Sequence, residues 1–400
     1  MRAPGLLRQS NFLLLWTGET ISLCGSALST VVMALIMVTV LHASTFQVTA
    51  VSAASSAPWL VVGLPAGVWV DLLPVRRLMI GCDLVQAVVF ASVPLAAWAG
   101  LLTVAQMVAV ALVAGTANVL FSTAYQVILP RLVTREDLVE GNAKLQGSAS
   151  VASIAGRGGS GVLAGPPAIL LNSVSFLVSA VCLWRIKESR VPLPRRGRPS
   201  VREGIRYVVV DPYLRAITAG AVLANLGFGG AAALFVVFLI RVAGLRPGTV
   251  GLLLAAAGCG GILGAIVARR LAGWMGMARA MWLVPFVTGG LATVLIPSGR
   301  AVGFAVGALL LGAGSSVVNV VTLSFRQAYC PEEMLGRVVS AMRFVAFGGS
   351  PVGALIAGGL GSLIGVRSAL WVMLSVYTAA ILPRVLTREI WSGRDLPGPD

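Results

Sequence analysis

The sequence predicts an all-α integral membrane protein with twelve transmembrane helices in two pseudo-symmetric six-helix bundles. Hydrophobic residues make up 57% of the chain and charged residues only 11%, whereas soluble domains carry about 25% charged residues. The apolar residues form runs long enough to cross a bilayer, which takes roughly 20 helical residues. A charged linker divides these runs into two sets of six, and glycines recur at equivalent points of the two sets.

The predicted helices follow the apolar runs, and the internal Gly and Pro residues are tolerated where neighbouring helices satisfy the backbone. The first bundle is predicted within residues 1–185 and the second within 214–388. Between them we expect a cytoplasmic linker, 186–213, with a short interfacial helix, and after them a disordered cytoplasmic tail, 389–400. The twelve predicted helices span 12–40, 46–70, 78–99, 102–126, 142–164, 167–185, 214–240, 247–272, 278–297, 301–325, 334–363 and 366–386.

The charge distribution predicts the orientation of the chain. Lys and Arg outnumber Asp and Glu by 30 to 14. Most of these basic residues lie in alternate short loops, which is the pattern of cytoplasmic loops. We therefore expect a multi-pass protein of the cell membrane with both termini in the cytoplasm. Nucleic-acid binding is disfavoured because the positive charge forms no single stripe.

Cofactor and enzyme chemistry find little support in the sequence. The five cysteines form no CxxC pair, and there is one histidine, His42. A metal centre that needs several imidazoles is therefore excluded. The loops hold no Ser-His or paired-carboxylate arrangement, so the chain is not expected to be an enzyme. We expect no cofactor, with the proton gradient as the source of the coupling ion.

An internal repeat relates the two halves. A single fixed offset superposes Gly67 on Gly264 and Gly115 on Gly312, each pair at the equivalent point of the equivalent helix. The halves differ at one acid, because Asp71 has no acidic counterpart in the second half.

Ionisable residues within the predicted helices are the main functional candidates, because a charge at the bilayer centre costs about 2.5–3.5 kcal/mol on insertion scales. Glu19 is predicted to carry a proton or a substrate charge. The alternative is a permanent structural ion pair with Arg343. The other charged residues expected to take part in proton or charge coupling are Asp83, Arg157 and Arg343. Asp83 is expected to join the charge network of the loop that follows the second predicted helix, and to pair with Arg76 or Arg77.

Arg157 lies in a glycine-rich part of the fifth predicted helix, with Gly156 before it and Gly161 after it. The glycines permit close packing between the halves. The arginine either faces a cavity and binds an anionic group or extends along the helix towards the membrane surface.

Four stretches of the sequence resemble known motifs. The eleven residues from Gly67 to Arg77, expected to form a polar turn, resemble the signature loop of the major facilitator superfamily. Residues 129–143 and 326–344 resemble the twelve-helix drug-exporter branch, which includes macrolide and enterobactin exporters. The segment around Arg157 is similar to the helix 5 motif of superfamily antiporters. The resemblance implies the major facilitator fold, in which two halves rock.

This resemblance also assigns roles to further residues. It implies a gating loop built from Gly67, Asp71, Arg76 and Arg77, in which Gly67 permits close helix approach. In the superfamily, helices 1, 4, 7 and 10 line the central cavity. Besides Glu19, the residues that would face this cavity are amides and aromatic residues: Asn118, Tyr125, Asn225, Phe228, Phe235 and Asn319.

These observations together predict a secondary active transporter. It would export a small amphipathic molecule, such as a drug, an antibiotic or a siderophore, by proton-coupled antiport with alternating access. The alternative is an uptake or facilitated-diffusion carrier of the same fold. The expected partners are a small-molecule substrate and the lipid bilayer, with the protein acting as a monomer.

Overall fold

The computed structural model describes residues 6, 9–133, 138–161, 165–187, 201–330 and 332–387, and these residues form helices without any strand. Within these ranges, ten segments are long and apolar enough to cross a membrane. They are Ser10–Thr39, Val75–Trp98, Val104–Pro130, Pro166–Arg185, Pro212–Val242, Pro247–Met275, Met277–Ser298, Ala301–Arg326, Ala341–Leu363 and Val366–Val385.

The helices of the first half follow the predicted positions closely. Thr103 begins one of them by accepting a hydrogen bond from the Gln106 N–H, and Pro166 begins another at a position where the missing N–H costs nothing. The helices are α1 Ser10–Thr39, α2 Thr45–Ser56, α3 Pro58–Val61, α4 Gly63–Leu72, α5 Val75–Trp98, α6 Val104–Leu132, α7 Leu138–Gly159 and α8 Pro166–Arg185.

The second half begins with the predicted interfacial helix. Asp211 then starts the next helix by accepting a hydrogen bond from the Leu214 N–H at 2.7 Å. The helices are α9 Val201–Val210, α10 Pro212–Val237 with a π-helical end at Phe238–Val242, α11 Pro247–Met275, α12 Met277–Leu295, α13 Ala301–Tyr329, α14 Glu332–Phe347, α15 Gly349–Leu363, α16 Val366–Ala379 and α17 Leu382–Val385.

Two of the twelve predicted spans are helical but do not qualify as spans by length and composition. The second predicted span is divided into α2, α3 and α4 by turns at Ala57 and Val62, because Pro58 and Pro65 cannot donate backbone hydrogen bonds within a continuous helix. The fifth, α7, has the length but is rich in Gly and Ser and carries three charged residues. These two crossings therefore stay predictions, and residues 162–164 of the fifth lie outside the described ranges.

The chain divides into two compact units. The first comprises residues 1–43, 54–195 and 246–252, and the second comprises 44–53, 196–245 and 253–400. In the first unit, Phe12, Met79 and Ile128 belong to a buried core. In the second, Ile217 and Phe325 belong to another. The predicted domain boundaries stay predictions, and the expected tail falls outside the described residues.

Glycines show where the internal repeat has structural meaning. A Cβ atom on Gly115 would lie 3.1 Å from the Ser55 carbonyl carbon, and one on Gly312 would lie 2.9 Å from the Ala257 carbonyl carbon. Both glycines therefore let neighbouring helices approach at the equivalent place of each half. Gly67 is different, because a Cβ atom there would meet nothing within 4 Å. The expected close approach at Gly67 is wrong.

The predicted polar turn from Gly67 to Arg77 is much shorter than expected. Helix α4 continues to Leu72 and α5 begins at Val75, so only two residues form the connection. Pro74 stands just before α5 in an extended conformation, where its lack of an N–H is harmless. The side chain of Asp71 lies outside the described part, and its gating role stays a prediction.

Candidate functional site

Two carboxyl groups come together in the first unit. Glu19 lies on α1 and Asp83 on α5, and the two side chains are close enough to interact electrostatically. Asp83 is 1% exposed, whereas Glu19 is partly accessible. Asp83 therefore belongs with Glu19 and not, as the sequence suggested, with the arginines of the gating loop.

Neither carboxyl group has a charged partner among the described residues. Both oxygens of Asp83 and the Oε2 atom of Glu19 are buried without a hydrogen bond of good geometry. The Ser179 hydroxyl on α8 is the nearby polar group that Asp83 faces. No described lysine or arginine forms an ion pair with either acid. Arg343 belongs to the second unit, so the alternative of a permanent Glu19–Arg343 pair stays a prediction.

Aromatic residues are grouped near Glu19 in the first unit. Tyr125 on α6 interacts with Glu19 and stacks on Phe121, one turn earlier, with ring centroids 6.4 Å apart. Trp16 lies one turn before Glu19 on α1, and its buried Nε1 atom has no hydrogen-bond partner among the described residues. The first unit thus places an unpaired carboxyl group beside an aromatic wall.

The arginines of the predicted gating loop have separate roles. The Arg76 Nη1 atom donates a hydrogen bond to the Ile186 carbonyl oxygen at 2.6 Å, which ties the start of α5 to the end of α8. Arg77 is exposed and lines a groove between α5 and α6. The expected ion pair of Asp83 with either arginine is therefore wrong.

Arg157 is partly buried near the end of α7. Its guanidinium has no hydrogen bond or ion pair to a described residue. The neighbouring Gly156 faces α1, where an added Cβ atom would lie 2.8 Å from the Cβ of Ala27. Close packing at Gly156 is thus within the first half of the chain, whereas a Cβ atom on Gly161 would lie 2.8 Å from the Cα of Gly248 on α11, so the predicted close packing between the halves is confirmed at Gly161. Both predicted roles of Arg157 stay open.

Arg343 is exposed on α14, and it lies close enough to Arg326 for the two positive charges to repel each other. Arg326 is held at the end of α13 by a hydrogen bond from its Nε atom to the Thr322 carbonyl oxygen at 3.3 Å. A coupling role for Arg343 stays a prediction.

The predicted cavity residues are distributed over both units. Asn118 of the first unit and Asn319 of the second have exposed side chains. Asn225 donates from its Nδ2 atom to the Ala221 carbonyl oxygen at 2.9 Å, within its own helix. Phe228 is 42% exposed, with its ring 6.2 Å from that of Tyr377. That these four residues line one cavity stays a prediction.

Phe235 is instead a packing residue. It is 7% exposed and meets the Phe304 ring edge-on, with centroids 5.2 Å apart. The expectation that it forms a cavity wall is wrong, because tight packing within the second unit covers its ring.

Arg384 is a buried charged residue that the sequence did not indicate. It is 4% exposed, and its Nη1 atom donates to the Met281 carbonyl oxygen at 3.3 Å. In a regular helix that carbonyl would accept from residue 285, but Pro285 has no N–H. The signal that could have found it is a proline four residues after Met281 together with one arginine in an apolar run.

Within the described ranges, no group of three or more His, Cys, Asp and Glu side chains is placed to hold a metal ion.

Comparisons with known proteins agree with this arrangement of helices. A family model described as "Transmembrane secretion effector", of the MFS type, matches residues 3–389. The uncharacterized MFS-type transporter y4rN of Sinorhizobium fredii (strain NBRC 101917 / NGR234) is 30% identical over 320 residues, covering 76% of this chain and 77% of the relative.

Two further matches carry names that describe what they transport. The multidrug efflux pump Tap of Mycolicibacterium fortuitum is 26% identical over 378 residues, covering 88% of this chain and 90% of that protein. The crystal structure of a mutant of the nucleoside transporter NupG superposes with a TM-score of 0.78 at 12% identity, covering 96% of this chain and 100% of that one. At this identity the structural likeness shows the fold alone.

Proposed function

Because the chain belongs to the transmembrane secretion effector family of the major facilitator superfamily, we propose that it exports a small amphipathic molecule in exchange for protons. A protein of this family is a multi-pass membrane transporter of small molecules and not an enzyme. Beyond membership of the family, the proposal specifies the direction of transport, the coupling ion and the chemical character of the substrate. It also adds a cell-membrane location with both termini in the cytoplasm.

The observation that carries the proposal is the unpaired state of Glu19 and Asp83. Two ionised carboxylates without a counter-charge are unfavourable away from water, because their desolvation is not offset. A bound proton or a cationic substrate group removes that penalty. The site can therefore hold protons in one part of the transport cycle and a positively charged substrate in another, which is the requirement for exchange.

The two acids have different access, which suggests different roles. Glu19 is partly accessible and adjoins Tyr125, so it is placed to contact the substrate. Asp83 is buried and is placed to hold a proton beside it. The aromatic rings of Trp16, Phe121 and Tyr125 suit an apolar body, and their faces attract a cationic group. The name of the relative Tap, a multidrug efflux pump, also supports export.

Transport through alternating access follows from the family, in which two bundles rock about a site near the bilayer midplane. We propose that protonation of Glu19 competes with binding of the substrate cation. Release of the substrate on the outer side would be followed by proton uptake there, and return to the inner side would release the proton.

The test is transport in inverted membrane vesicles with an imposed pH gradient, using ethidium as a lipophilic cation. Wild type is expected to accumulate the dye when the interior is acidic, and Glu19→Gln is expected to abolish this accumulation while still reaching the membrane. Glu140→Gln is the matched control, because Glu140 is an exposed acid of the same unit that pairs with Lys144 at 3.3 Å. Full export by Glu19→Gln would refute the assignment.

The same assay addresses the alternative carrier. A facilitated-diffusion protein would only equilibrate the dye, and a proton-driven uptake carrier would move the dye out of the acidic interior, so neither would accumulate it inside the vesicles. The Asp83→Asn variant tests the role of Asp83 independently of that of Glu19. We expect it to impair proton-driven accumulation more than dye binding, which is measured by fluorescence of the purified protein.

A further inference from the structure

A groove of about 210 Å³ lies between α9, α10 and α14 in the second unit. Ile205 and Val209 line it from α9, Val222 from α10, and Val345 from α14. Val209 is 57% exposed and Val345 is 41% exposed. These helices therefore leave an apolar surface uncovered along the groove.

Arg215 is the one charged residue among the described residues that line the groove. Its side chain is exposed, and its Nη1 atom reaches the Val209 carbonyl oxygen at 3.4 Å. A guanidinium has five N–H donors, so most of them remain available to a ligand. The groove thus has an apolar wall, to which Arg215 contributes its aliphatic part, while its guanidinium lies beside the Val209 carbonyl oxygen.

Nearby acids do not neutralise this cation in the described region. Asp211 forms no ion pair with Arg215, and its two oxygens accept hydrogen bonds from the Leu214 N–H and from the Tyr329 hydroxyl, each at 2.7 Å. Glu203 of α9 does not line the groove, whereas α9 also carries the exposed Arg206. The charge at the groove is therefore complementary to an anion.

The groove lies where two membrane spans begin. The spans start at Pro212 and Ala341, and Arg215 is three residues into the first. At 1.5 Å per residue, its backbone is about 4.5 Å from the start of the helix. So close to the start of a span, Arg215 is expected at the level of the lipid headgroups, on the side that the distribution of basic residues assigns to the cytoplasm.

We propose that this groove is a binding site for an anionic phospholipid. An acyl chain packs along Val209, Val222 and Val345, and the lipid phosphate accepts hydrogen bonds from Arg215. Anionic lipids of the cytoplasmic leaflet attract basic side chains near the membrane surface with about 1 kcal/mol each. The proposal concerns lipid binding and does not depend on the direction of transport.

The experiment titrates dioleoyl phosphatidylglycerol onto the purified full-length protein in detergent and detects bound lipid by native mass spectrometry. Wild type is expected to bind this lipid more tightly than dioleoyl phosphatidylcholine. Arg215→Gln should weaken phosphatidylglycerol binding about fivefold, which corresponds to about 1 kcal/mol. Val345→Trp should also weaken it by filling the groove while the charge remains.

Arg270→Gln is the matched control, since it removes an exposed arginine of the same unit outside the groove. An equal loss in Arg270→Gln and Arg215→Gln would mean general charge attraction and would overturn the proposal. Arg215→Lys should retain most of the binding, which distinguishes charge from misfolding. Inorganic phosphate is tested as a competitor, and its displacement of the lipid at equal concentration would show a free-anion site instead.

Discussion

Arg384 and Pro285 are expected to be energetically coupled, although they lie far apart in the sequence. The Met281 carbonyl oxygen has lost its helical donor at Pro285 and accepts from the Arg384 guanidinium instead, at 3.3 Å. Arg384→Met removes this donor, and the buried carbonyl is left without its partner. Such a group costs about 1–3 kcal/mol. Pro285→Ala restores an N–H at the position that a regular helix would use.

The predicted quantity is the coupling energy and not the single-mutant value. Arg384→Met also removes a buried charge, and this change acts in the stabilising direction. That second effect is the same in both backgrounds, so it cancels in a double-mutant cycle. We expect Arg384→Met to be less destabilising in the Pro285→Ala background by about 1–2 kcal/mol.

The assay is reversible unfolding of the purified protein in mixed micelles, followed by tryptophan fluorescence. Pro94→Ala provides the matched control, because Pro94 lies inside α5 of the first unit. The changes in unfolding free energy caused by Pro94→Ala and Arg384→Met should be additive within about 0.5 kcal/mol. A coupling energy between Pro285 and Arg384 below about 0.5 kcal/mol would refute the reasoning.

Two further predictions concern contacts of the second unit. Gly353→Ala should destabilise the protein by about 1–3 kcal/mol in the same unfolding assay, because its Cβ would lie 2.8 Å from the Leu226 carbonyl carbon. Gly359→Ala in the same helix meets nothing within 4 Å and should be neutral or stabilising; equal losses would contradict this. Burial and the hydrogen bond to Asp211 raise the pKa of Tyr329, so its contribution to stability is complete below pH ~10 and is lost as the pH rises through the folded-state pKa. Tyr329→Phe should therefore lose less stability than wild type between pH ~10 and ~12. Parallel plots of unfolding free energy against pH for the two proteins would argue against a stabilising role of the Tyr329 hydroxyl.

Most helix positions could be predicted from the sequence because apolar length depends on local composition. The run that begins near Phe12 and the run that begins at Val366 each form a helix at the predicted place. The predicted turn around Asp71 was too long because α4 continues to Leu72. Helix ends depend on backbone hydrogen bonds that a hydrophobicity pattern does not report.

Pairing of buried side chains could not be predicted in the same way. The sequence identified Glu19 and Asp83 as costly charges but assigned Asp83 to the wrong neighbours. It did not identify Arg384 as a buried residue with a polar partner. Both errors have one cause, because the partner of a polar side chain is chosen by the packing of helices that are distant in the chain.

The sequence by itself determined that this protein lies in a membrane, where its helices approximately are, and to which family it belongs. These properties follow from summed hydrophobicity and from short local motifs, which need no knowledge of contacts. The tertiary structure alone decided that Glu19 and Asp83 share one site and that Arg384 bonds the Met281 carbonyl. It did so because desolvation and hydrogen bonding depend on distances of a few ångströms between separate helices, and those distances exist only after the helices have packed.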